Sequence, residues 1–287
     1  MWSGLRVIVL LVGVSCMLSV PASVQAAESL KDSFEEGKLS ELWFADYAPS
    51  DRVSFPKGNA PDGRQSLALE VLAGDLDERC KCQRTEIREA SEFQPEFGSD
   101  LWYRFNLKLT GSGDSSVESR WMLGAWKQEV DGSPFLAMRF EGGVFYITFE
   151  SAETRVMLAS SLFDARAFLQ ILKGAQGEKF GFLSDRNLYL GDSSINLEHG
   201  RAVYLPDPRS GWMDLMLRVK GGLKGDGIIE VYANGNFVVR ATGKIGVDAP
   251  IGSKQYFRVG HRRDKAATSA VLWLDDFRRG PTRESVE

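Results

Sequence analysis

The sequence has few of the side chains that bind transition metals. Its 287 residues include two histidines and three cysteines. The histidines, His199 and His261, lie far apart in the chain, and Cys80 and Cys82 are separated by one residue. A structural zinc site takes four such ligands, and a catalytic site takes three. We therefore expect no zinc centre and assign no residue a metal-binding role.

Calcium differs from zinc because it is bound by oxygen atoms. Asp275 and Asp276 could contribute such ligands, but the chain has no EF-hand-like spacing. We expect no cofactor and leave calcium as an open alternative.

The chain also lacks an excess of positive charge. Its 35 lysines and arginines are outnumbered by 39 acidic residues, and its formal net charge is −4. Nucleic-acid-binding domains carry a basic surface, so we do not expect a nucleic-acid partner. An anionic ligand would need a local basic cluster within this mildly acidic surface.

No apolar run is long enough to favour a membrane span. The run Val7–Leu18 follows Arg6 and precedes small residues that end at Ala26. This pattern is typical of a secretory signal peptide, whereas a transmembrane helix needs about 20 apolar residues. We predict a signal peptide at 1–26 and a secreted or periplasmic protein. A lipid anchor at Cys16 is a weaker alternative, because the preceding residues match a lipobox poorly.

Export would place Cys80 and Cys82 in an oxidising compartment, where disulfides form. Residues i and i+2 of a regular strand lie about 6.5 Å apart, which is near the upper limit for a disulfide. A bond between them would need a bulge, and the sequence leaves it open.

Short β-type segments recur along the chain, mostly separated by turn residues. The dipeptide Asn234-Gly235 between two of them is a strong hairpin signal. Many short antiparallel strands with few helices are typical of a sandwich or jelly roll. We predict one all-β jelly-roll domain over 28–287. The segments are Leu67–Val71, Leu101–Leu109, Ser119–Trp126, Phe135–Phe140, Val144–Phe149, Trp212–Val219, Gly227–Tyr232, Phe237–Thr242, Gln255–Val259 and Ala270–Phe277.

Two stretches break this pattern. The apolar residues of Ser160–Leu172 have helical spacing and predict one short helix. The stretch 181–210 is rich in Asp, Asn, Gly and Pro and predicts a long surface loop, which in compact domains is often functional.

The most informative segment is Gln83–Arg88. As a strand it places Arg84, Glu86 and Arg88 on one face and the residues between them on the other. Three charged side chains in a row cannot all be buried unpaired, so this face meets solvent or a polar, anionic ligand. Two interpretations stay open, a solvated charge ladder and a groove for a polysaccharide.

A series of motifs follows in a fixed order along the chain: Gln83-Arg84-Thr85-Glu86-Ile87, Leu101-Trp102-Tyr103-Arg104-Phe105, Gly211-Trp212-Met213-Asp214, Glu230-Val231-Tyr232-Ala233-Asn234-Gly235, Tyr256-Phe257-Arg258-Val259-Gly260 and Leu274-Asp275-Asp276-Phe277. This order resembles the heparin lyase I and alginate lyase group of polysaccharide lyases over nearly the whole mature chain. The first and fifth motifs together are the more specific ones. The resemblance implies a concanavalin-like jelly roll that binds an acidic sugar chain across its concave sheet.

The resemblance also implies β-elimination at a uronic acid. In this reaction a cation neutralises the carboxylate, a base removes the C5 proton and an acid protonates the leaving O4. Arg84 matches the family's carboxylate-contacting arginine, with Glu86 and Arg88 as substrate-binding neighbours. Arg258 matches a position that is usually lysine.

Two positions depart from the family's pattern. Arg262 stands where the catalytic tyrosine is expected, and Lys127 is the nearest match to the catalytic histidine. A lysine can act as a base if its pKa is lowered, whereas an arginine is a poor proton donor near neutrality. We therefore predict Arg84, Lys127 and Tyr256 as catalytic residues, and Arg258 and Arg262 as further substrate-binding residues.

Strand alternation predicts which residues near Arg258 face the groove and which face away from it. His261 is turned away from Arg258 and Arg262, so a packed structural histidine is favoured over a catalytic one. Tyr256 lies on the same alternation as Arg258 and can face the groove, although an ordinary buried tyrosine is an equal alternative.

Three functions fit the sequence. The first is a secreted lyase with altered machinery acting on an acidic polysaccharide. The second is a carbohydrate-binding protein that kept the groove and lost the chemistry, and the third is a lectin-like structural or adhesive protein. A glycoside hydrolase fits less well, because position 90 on the Glu86 face is Ala90 rather than a second carboxylate. The expected partner is an acidic polysaccharide and the expected state a monomer.

Overall fold

The structure, a computed structural model, describes residues 28–111, 120–151, 154–161, 180–181, 183–184, 188–189, 194–201 and 204–287. Two large sheets form within these residues. In spatial order, sheet 1 contains β14 (Ile195–His199), β17 (Asn236–Ile245), β16 (Gly222–Ala233), β15 (Met213–Lys220), β6 (Leu101–Gly111), β19 (Ala270–Gly280), β4 (Leu67–Val71) and β3 (Val53–Ser54), with β1 (Leu30–Asp32) also paired to β19. Sheet 2 contains β11 (Phe180–Gly181), β10 (Thr154–Ser160), β9 (Val144–Ser151), β8 (Leu136–Glu141), β7 (Trp121–Gln128), β18 (Gln255–Arg263), β5 (Gln83–Glu89) and β2 (Trp43–Tyr47).

Smaller elements complete the described part of the fold. They are the strand pair β12 (Leu183–Ser184) and β13 (Leu188–Tyr189), and two 3-10 turns at Ser50–Arg52 and Ser91–Phe93. Neighbouring strands of the two large sheets pair antiparallel, apart from the parallel pair β10–β11. The architecture confirms the prediction of an all-β, concanavalin-like jelly-roll sandwich. No helix within these residues is long and apolar enough to cross a membrane.

The core lies between the two sheets. Phe257 on β18 packs against Phe105 on β6 and Phe277 on β19, with ring centroids 5.3 and 5.7 Å apart. Trp126 on β7 joins this cluster at 4.6 Å from Phe257. Burying side chains of this size stabilises the fold by roughly 1.5–3 kcal/mol each. Because Phe257 points inward, its strand neighbours Tyr256 and Arg258 point outward.

A buried ion pair also links the sheets. Glu89 on β5 lies 2.5 Å from the Arg279 guanidinium on β19. The second carboxylate oxygen of Glu89 accepts a hydrogen bond from the Phe257 backbone N–H at 2.8 Å, and Arg279 donates to the Phe93 carbonyl. Each buried charge thus has an opposite charge and a backbone hydrogen bond as partners, which offset the cost of removing it from water.

The predicted hairpin is present. Asn234 and Gly235 join β16 to β17 with φ values of 48° and 76°. Positive φ at both central residues is the geometry that Asn-Gly favours in a two-residue hairpin.

Two other predictions have different outcomes. The sequence predicts a long loop at 181–210, but this stretch contains β14, which pairs with β17. The expectation was wrong there because the alternation of Ile195 and Leu197 with polar residues was hidden among loop-type residues. In the predicted helix Ser160–Leu172, residues 162–172 lie outside the described residues, as does the signal-peptide segment 1–26.

Cys80 and Cys82 form a disulfide. Their Cα atoms are 5.1 Å apart, closer than the spacing of a regular strand. Lys81 between them has a φ of 53°, so a left-handed turn brings the two cysteines together.

Candidate functional site

The predicted site residues share the outward face of three adjacent strands of sheet 2. On β5 and β18, Arg84 lies opposite Arg262 and Arg88 lies opposite Arg258. Directly opposed residues of an antiparallel pair project to the same side of the sheet. We call this surface the site face and define it by Arg84, Glu86, Arg88, Lys127, Tyr256, Arg258 and Arg262.

Glu86 organises the middle of the site face. It is 2% exposed, and its carboxylate lies 2.6 Å from the Arg84 guanidinium and 3.3 Å from that of Arg258. Arg84 is also stacked on the Tyr47 ring at 3.5 Å. Two guanidiniums of the site face are therefore already paired with protein groups.

Asp46 is a second carboxylate at this face, and the sequence did not predict it. It lies 3.3 Å from Arg258 and 3.6 Å from Arg88. The register of β2 against β5 shifts between Ala45 and Tyr47, so Asp46 lies at a bulge. Asp46 is two residues from Phe44, which lies opposite Arg88, so alternation places both on the site face. The sequence did not indicate Asp46 because β2 is not among the predicted strands.

A glycine on β18 allows the close approach of β5. Gly260 lies opposite Glu86 and has a φ of 137°. A Cβ added there would lie 2.1 Å from the Thr85 carbonyl oxygen. Other residues would therefore strain the backbone beneath Glu86.

Lys127 and Tyr256 form a second pair across two strands. They lie directly opposite each other on β7 and β18, which places their Cβ atoms about 4.5–5.5 Å apart. Burial, and after it the positive charge of Arg258, lowers the pKa of the half-buried Lys127 ammonium. Burial raises the pKa of the Tyr256 hydroxyl. The site thus holds an amine that loses its proton more easily beside a phenol that keeps its own.

Lys127 and Tyr256 line one cavity with Arg88 and Asp46. This cavity, which we call the Lys127 cavity, has a volume of about 600 Å³. The side chain of Arg88 is 23% exposed, and its guanidinium lies 5.4 Å from the Tyr256 ring centroid. A cation, a candidate base and a candidate acid therefore surround one space, which the carboxylates of Glu129 and Asp131 also line.

The structure does not bring Arg84 to this cavity. Arg84 and Arg88 are four residues apart on β5, which corresponds to about 13 Å along a strand. Arg262 is six residues from Tyr256, or roughly 20 Å. The residue opposite Arg262 on β7 is Met122, whose thioether does not transfer protons. The predicted catalytic residues are thus split between the two ends of the site face.

Arg262 differs from its neighbours because it is exposed and unpaired. Within the described part of the chain it has neither an ion-pair partner within 4.0 Å nor a hydrogen bond. Its guanidinium is free to contact a ligand anion.

His261 points away from the site face, as strand alternation predicts. It is fully buried, its Nδ1 accepts a hydrogen bond from the Trp121 indole, and its Nε2 lies 3.0 Å from the Leu69 carbonyl oxygen. Burial lowers its pKa to about 3. His261 is thus a structural histidine. Among the residues that the structure describes, no group of three or more His, Cys, Asp or Glu is placed to hold a metal ion.

The fold and this surface together define a jelly-roll sandwich with a cationic site on one sheet. A family model described as polysaccharide lyase matches residues 34–278, and the chain belongs to this polysaccharide lyase family.

The solved structures that are similar to the chain include the following two. An endo-β-1,4-glucuronan lyase from the fungus Trichoderma reesei is 14% identical, with a TM-score of 0.54 over 84% of this chain and 93% of that one. The cellulose induced protein Cip1 is 16% identical, with a TM-score of 0.51 over 88% and 97% of the two chains. At these identities the similarity shows the fold. No curated protein sequence matches the chain.

Proposed function

We propose that the protein is an exported lyase that cleaves an acidic, uronate-containing polysaccharide by β-elimination in the Lys127 cavity. The observation that carries this proposal is the pair of Lys127 and Tyr256, opposite each other in register and lining one cavity with Arg88. Membership of the polysaccharide lyase family supports the reaction class.

The charge of the site face supports an acidic substrate. The site face carries five cations, Arg84, Arg88, Lys127, Arg258 and Arg262, and in the described part of the chain the carboxylates within 4.0 Å of them are those of Glu86, Asp46 and Asp77. Cations therefore outnumber carboxylates at the site face, although the whole chain has a net charge of −4. Such a local surplus attracts a polyanion, and salt should weaken its binding.

Arg88 is the residue that we assign to the substrate carboxylate. The resemblance to other lyases pointed to Arg84, but that guanidinium is paired with Glu86, stacked on Tyr47 and distant from Lys127. Arg88 is more exposed, and its nearest carboxylate, Asp46, is 3.6 Å away. Arg84 is then a positioning residue that holds Glu86.

The proton transfers follow from the two shifted pKa values. Neutral Lys127 takes the proton from C5, and the electron pair of that bond forms the double bond between C4 and C5. The bond between C4 and O4 breaks, and Tyr256 gives its proton to O4. Arg88 stabilises the negative charge that develops on the carboxylate during this step. When the pKa values of two neighbouring groups are shifted in opposite directions, the shifts commonly indicate which group is the base and which is the acid.

A product assay tests the reaction directly. The mature protein is incubated with a panel of uronate polysaccharides, and the ultraviolet absorbance of the unsaturated product is followed from about pH 5 to pH 10. Lys127→Ala should lower turnover by a factor on the order of 100 or more and spare binding. Arg104→Met is a matched control, because it removes a cation from sheet 1. An active Lys127→Ala variant would overturn the assignment of the base.

A non-catalytic carbohydrate-binding protein is the second candidate. The observation that favours it is the Met122–Arg262 pair, which offers no proton-transfer group at the position where related lyases have a catalytic tyrosine. If the wild type binds acidic polysaccharide but releases no unsaturated ends on any substrate at any pH in the assay, this function replaces the lyase.

Export is part of the proposal. The N-terminal sequence has the pattern of a signal peptide, and the disulfide Cys80–Cys82 fits an oxidising compartment. Fractionation of cells that express the full chain would test export, since retention in the cytosol with both thiols reduced would contradict it.

A further inference from the structure

A second cavity opens beside the other end of the site face. It has a volume of about 600 Å³ and is lined by Arg120, Arg139, Arg155, Arg262, Arg263 and Asp264, among others. We call it the Arg139 cavity. Five guanidiniums and one carboxylate in this set give a strongly positive space.

Arg139 is the unusual member of this set. It is 7% exposed and comes from the middle of β8, between the buried residues Met138 and Phe140. Its Nε donates a hydrogen bond to the Thr148 hydroxyl at 3.0 Å. In the described part of the chain, no carboxylate lies within 4.0 Å of its guanidinium.

The neighbours of Arg139 do not neutralise it directly. Arg155 is paired with Glu150 at 2.7 Å, and Arg120 is paired with Asp264 at 2.8 Å. Burial, and after it the positive charge of Arg155, lowers the pKa of Arg139, and the smaller opposing effects of Glu141 and Glu150 do not reverse this shift. A buried cation without a counter-ion in direct contact is destabilising, and an anion bound in the cavity would offset that cost.

The strand register connects Arg139 to Arg262. Met122 on β7 lies opposite Arg262 on one side and opposite Arg139 on the other. The three residues thus form one row across adjacent strands, and the two arginines are about 10 Å apart at the backbone. The exposed guanidinium of Arg262 and the buried one of Arg139 line the same cavity.

We infer that the Arg139 cavity is a second anion subsite, in which Arg139 and Arg262 bind a carboxylate or sulfate ester on a sugar remote from the cleaved bond. This inference rests on the proposed function. Lys127 is five residues from Met122 along β7, so the two cavities are about 17 Å apart at the backbone. A disaccharide cannot span this distance, whereas a longer oligosaccharide can. The substrate then carries anionic groups on several sugars.

Binding as a function of chain length tests the subsite. Uronate oligosaccharides of two to six sugars are titrated by calorimetry into Lys127→Ala, which keeps them intact, and into the same protein with Arg139→Met or Arg139→Lys. We expect affinity to increase once the chain spans both cavities. Arg139→Met should weaken only the long chains, by about tenfold or more, and Arg139→Lys should weaken them less. Arg104→Met is the control for a lost cation on the other sheet.

The same titrations with sulfated oligosaccharides that lack uronate form a second arm of the experiment. This arm distinguishes a sulfate ester from a carboxylate as the group that Arg139 binds. Dependence on Arg139 in this arm alone identifies a sulfate ester, and dependence in the uronate arm alone identifies a carboxylate. Equal affinity of Arg139→Met and its parent for all lengths in both arms would overturn the subsite and leave the proposed reaction standing.

Inorganic sulfate separates failure of the subsite from failure of the proposed function. If no oligosaccharide binds the Lys127→Ala protein or the wild type, the proposed function fails. The melting temperature with added sulfate then decides the subsite. A rise in the wild type that Arg139→Met abolishes supports an anion site, and an equal response of the two proteins overturns it.

Discussion

The indole N–H of Trp121 donates a hydrogen bond to Nδ1 of His261 across 3.0 Å. Nδ1 must therefore carry no proton, and the proton of the neutral ring lies on Nε2, where it can be donated to the Leu69 carbonyl at 3.0 Å. A second proton on the ring would break the bond with Trp121, because both indole and imidazolium would be donors. These two hydrogen bonds connect β18 to β7 and to β4. Because His261 points inward, its neighbour Arg262 points to the site face.

This pair makes stability depend on pH. The folded pKa of His261 is about 3, whereas its ordinary value is 6.5. Between these values the unfolded chain binds more protons, so the contribution is complete above about pH 6.5 and is lost as the pH falls. We expect the free energy of unfolding, measured with urea, to decrease from pH 7 to pH 4, and the decrease to be smaller in His261→Gln. An NMR titration of His261 near pH 6.5 in the folded protein would contradict this.

Alternation was the sequence signal that located the site face. It placed Arg84, Glu86 and Arg88 together and His261 on the opposite side, and both placements hold in the structure. It did not locate Asp46, because the segment Trp43–Tyr47 was not predicted as a strand.

Alternation alone does not give the distance between site residues or identify the buried Arg139. Alternation gives a face and not a position along the strand, so the separation of Arg84 from Lys127 required the pairing register. Arg139 did leave a signal, since it is the one charged residue in the run Phe135–Phe140. An arginine within an apolar strand indicates a buried charge that needs a partner.

The buried pair of Glu89 and Arg279 should be a large contributor to stability. Glu89→Gln leaves Arg279 without a counter-charge, and the cost of such a change is about 3–5 kcal/mol. We expect the double variant Glu89→Gln/Arg279→Met to lose less than the sum of the two single variants. Urea unfolding of all four proteins gives the coupling. Additive losses would show that the two charges do not stabilise each other.

Asp275 should affect stability in the opposite pH direction from His261. Asp275 is 6% exposed, and burial raises the pKa of its carboxyl from 3.8 to about 6. Between these values the folded state binds more protons, so stability falls as the pH rises from about 4 to about 6. Asp275→Asn should be more stable than the wild type at pH 8, by about 1–3 kcal/mol, and nearly equal at pH 4.

Calcium binding at Asp275 would contradict the predicted stabilisation by Asp275→Asn. If the ion binds there, adding it should raise the melting temperature of the wild type and leave that of Asp275→Asn unchanged. Asp275→Asn would then lower stability in the presence of calcium.

Arg84 and Arg88 should give different defects when replaced. Arg84→Met removes a partner of the buried Glu86 carboxylate, so we expect a loss of stability of about 1–3 kcal/mol. Arg88→Met removes the guanidinium of a side chain that is 23% exposed and should lower kcat/KM about 100-fold with a smaller change in stability. Kinetics and urea unfolding of both variants check this contrast. The assignment of Arg88 fails if Arg84→Met, corrected for its folded fraction, has the larger kinetic defect.

The activity of the Lys127 cavity should have a bell-shaped dependence on pH. Lys127 acts as a base only when neutral, and its pKa is lowered from 10.5, so the rising limb should lie below pH 10.5. Tyr256 acts as an acid only when protonated, and its pKa is raised from 10.0, so the falling limb should lie above pH 10. Tyr256→Phe should lower kcat by a factor on the order of 100 and remove the falling limb, while KM changes little. A Tyr256→Phe variant with an unchanged profile would exclude Tyr256 as the proton donor to O4.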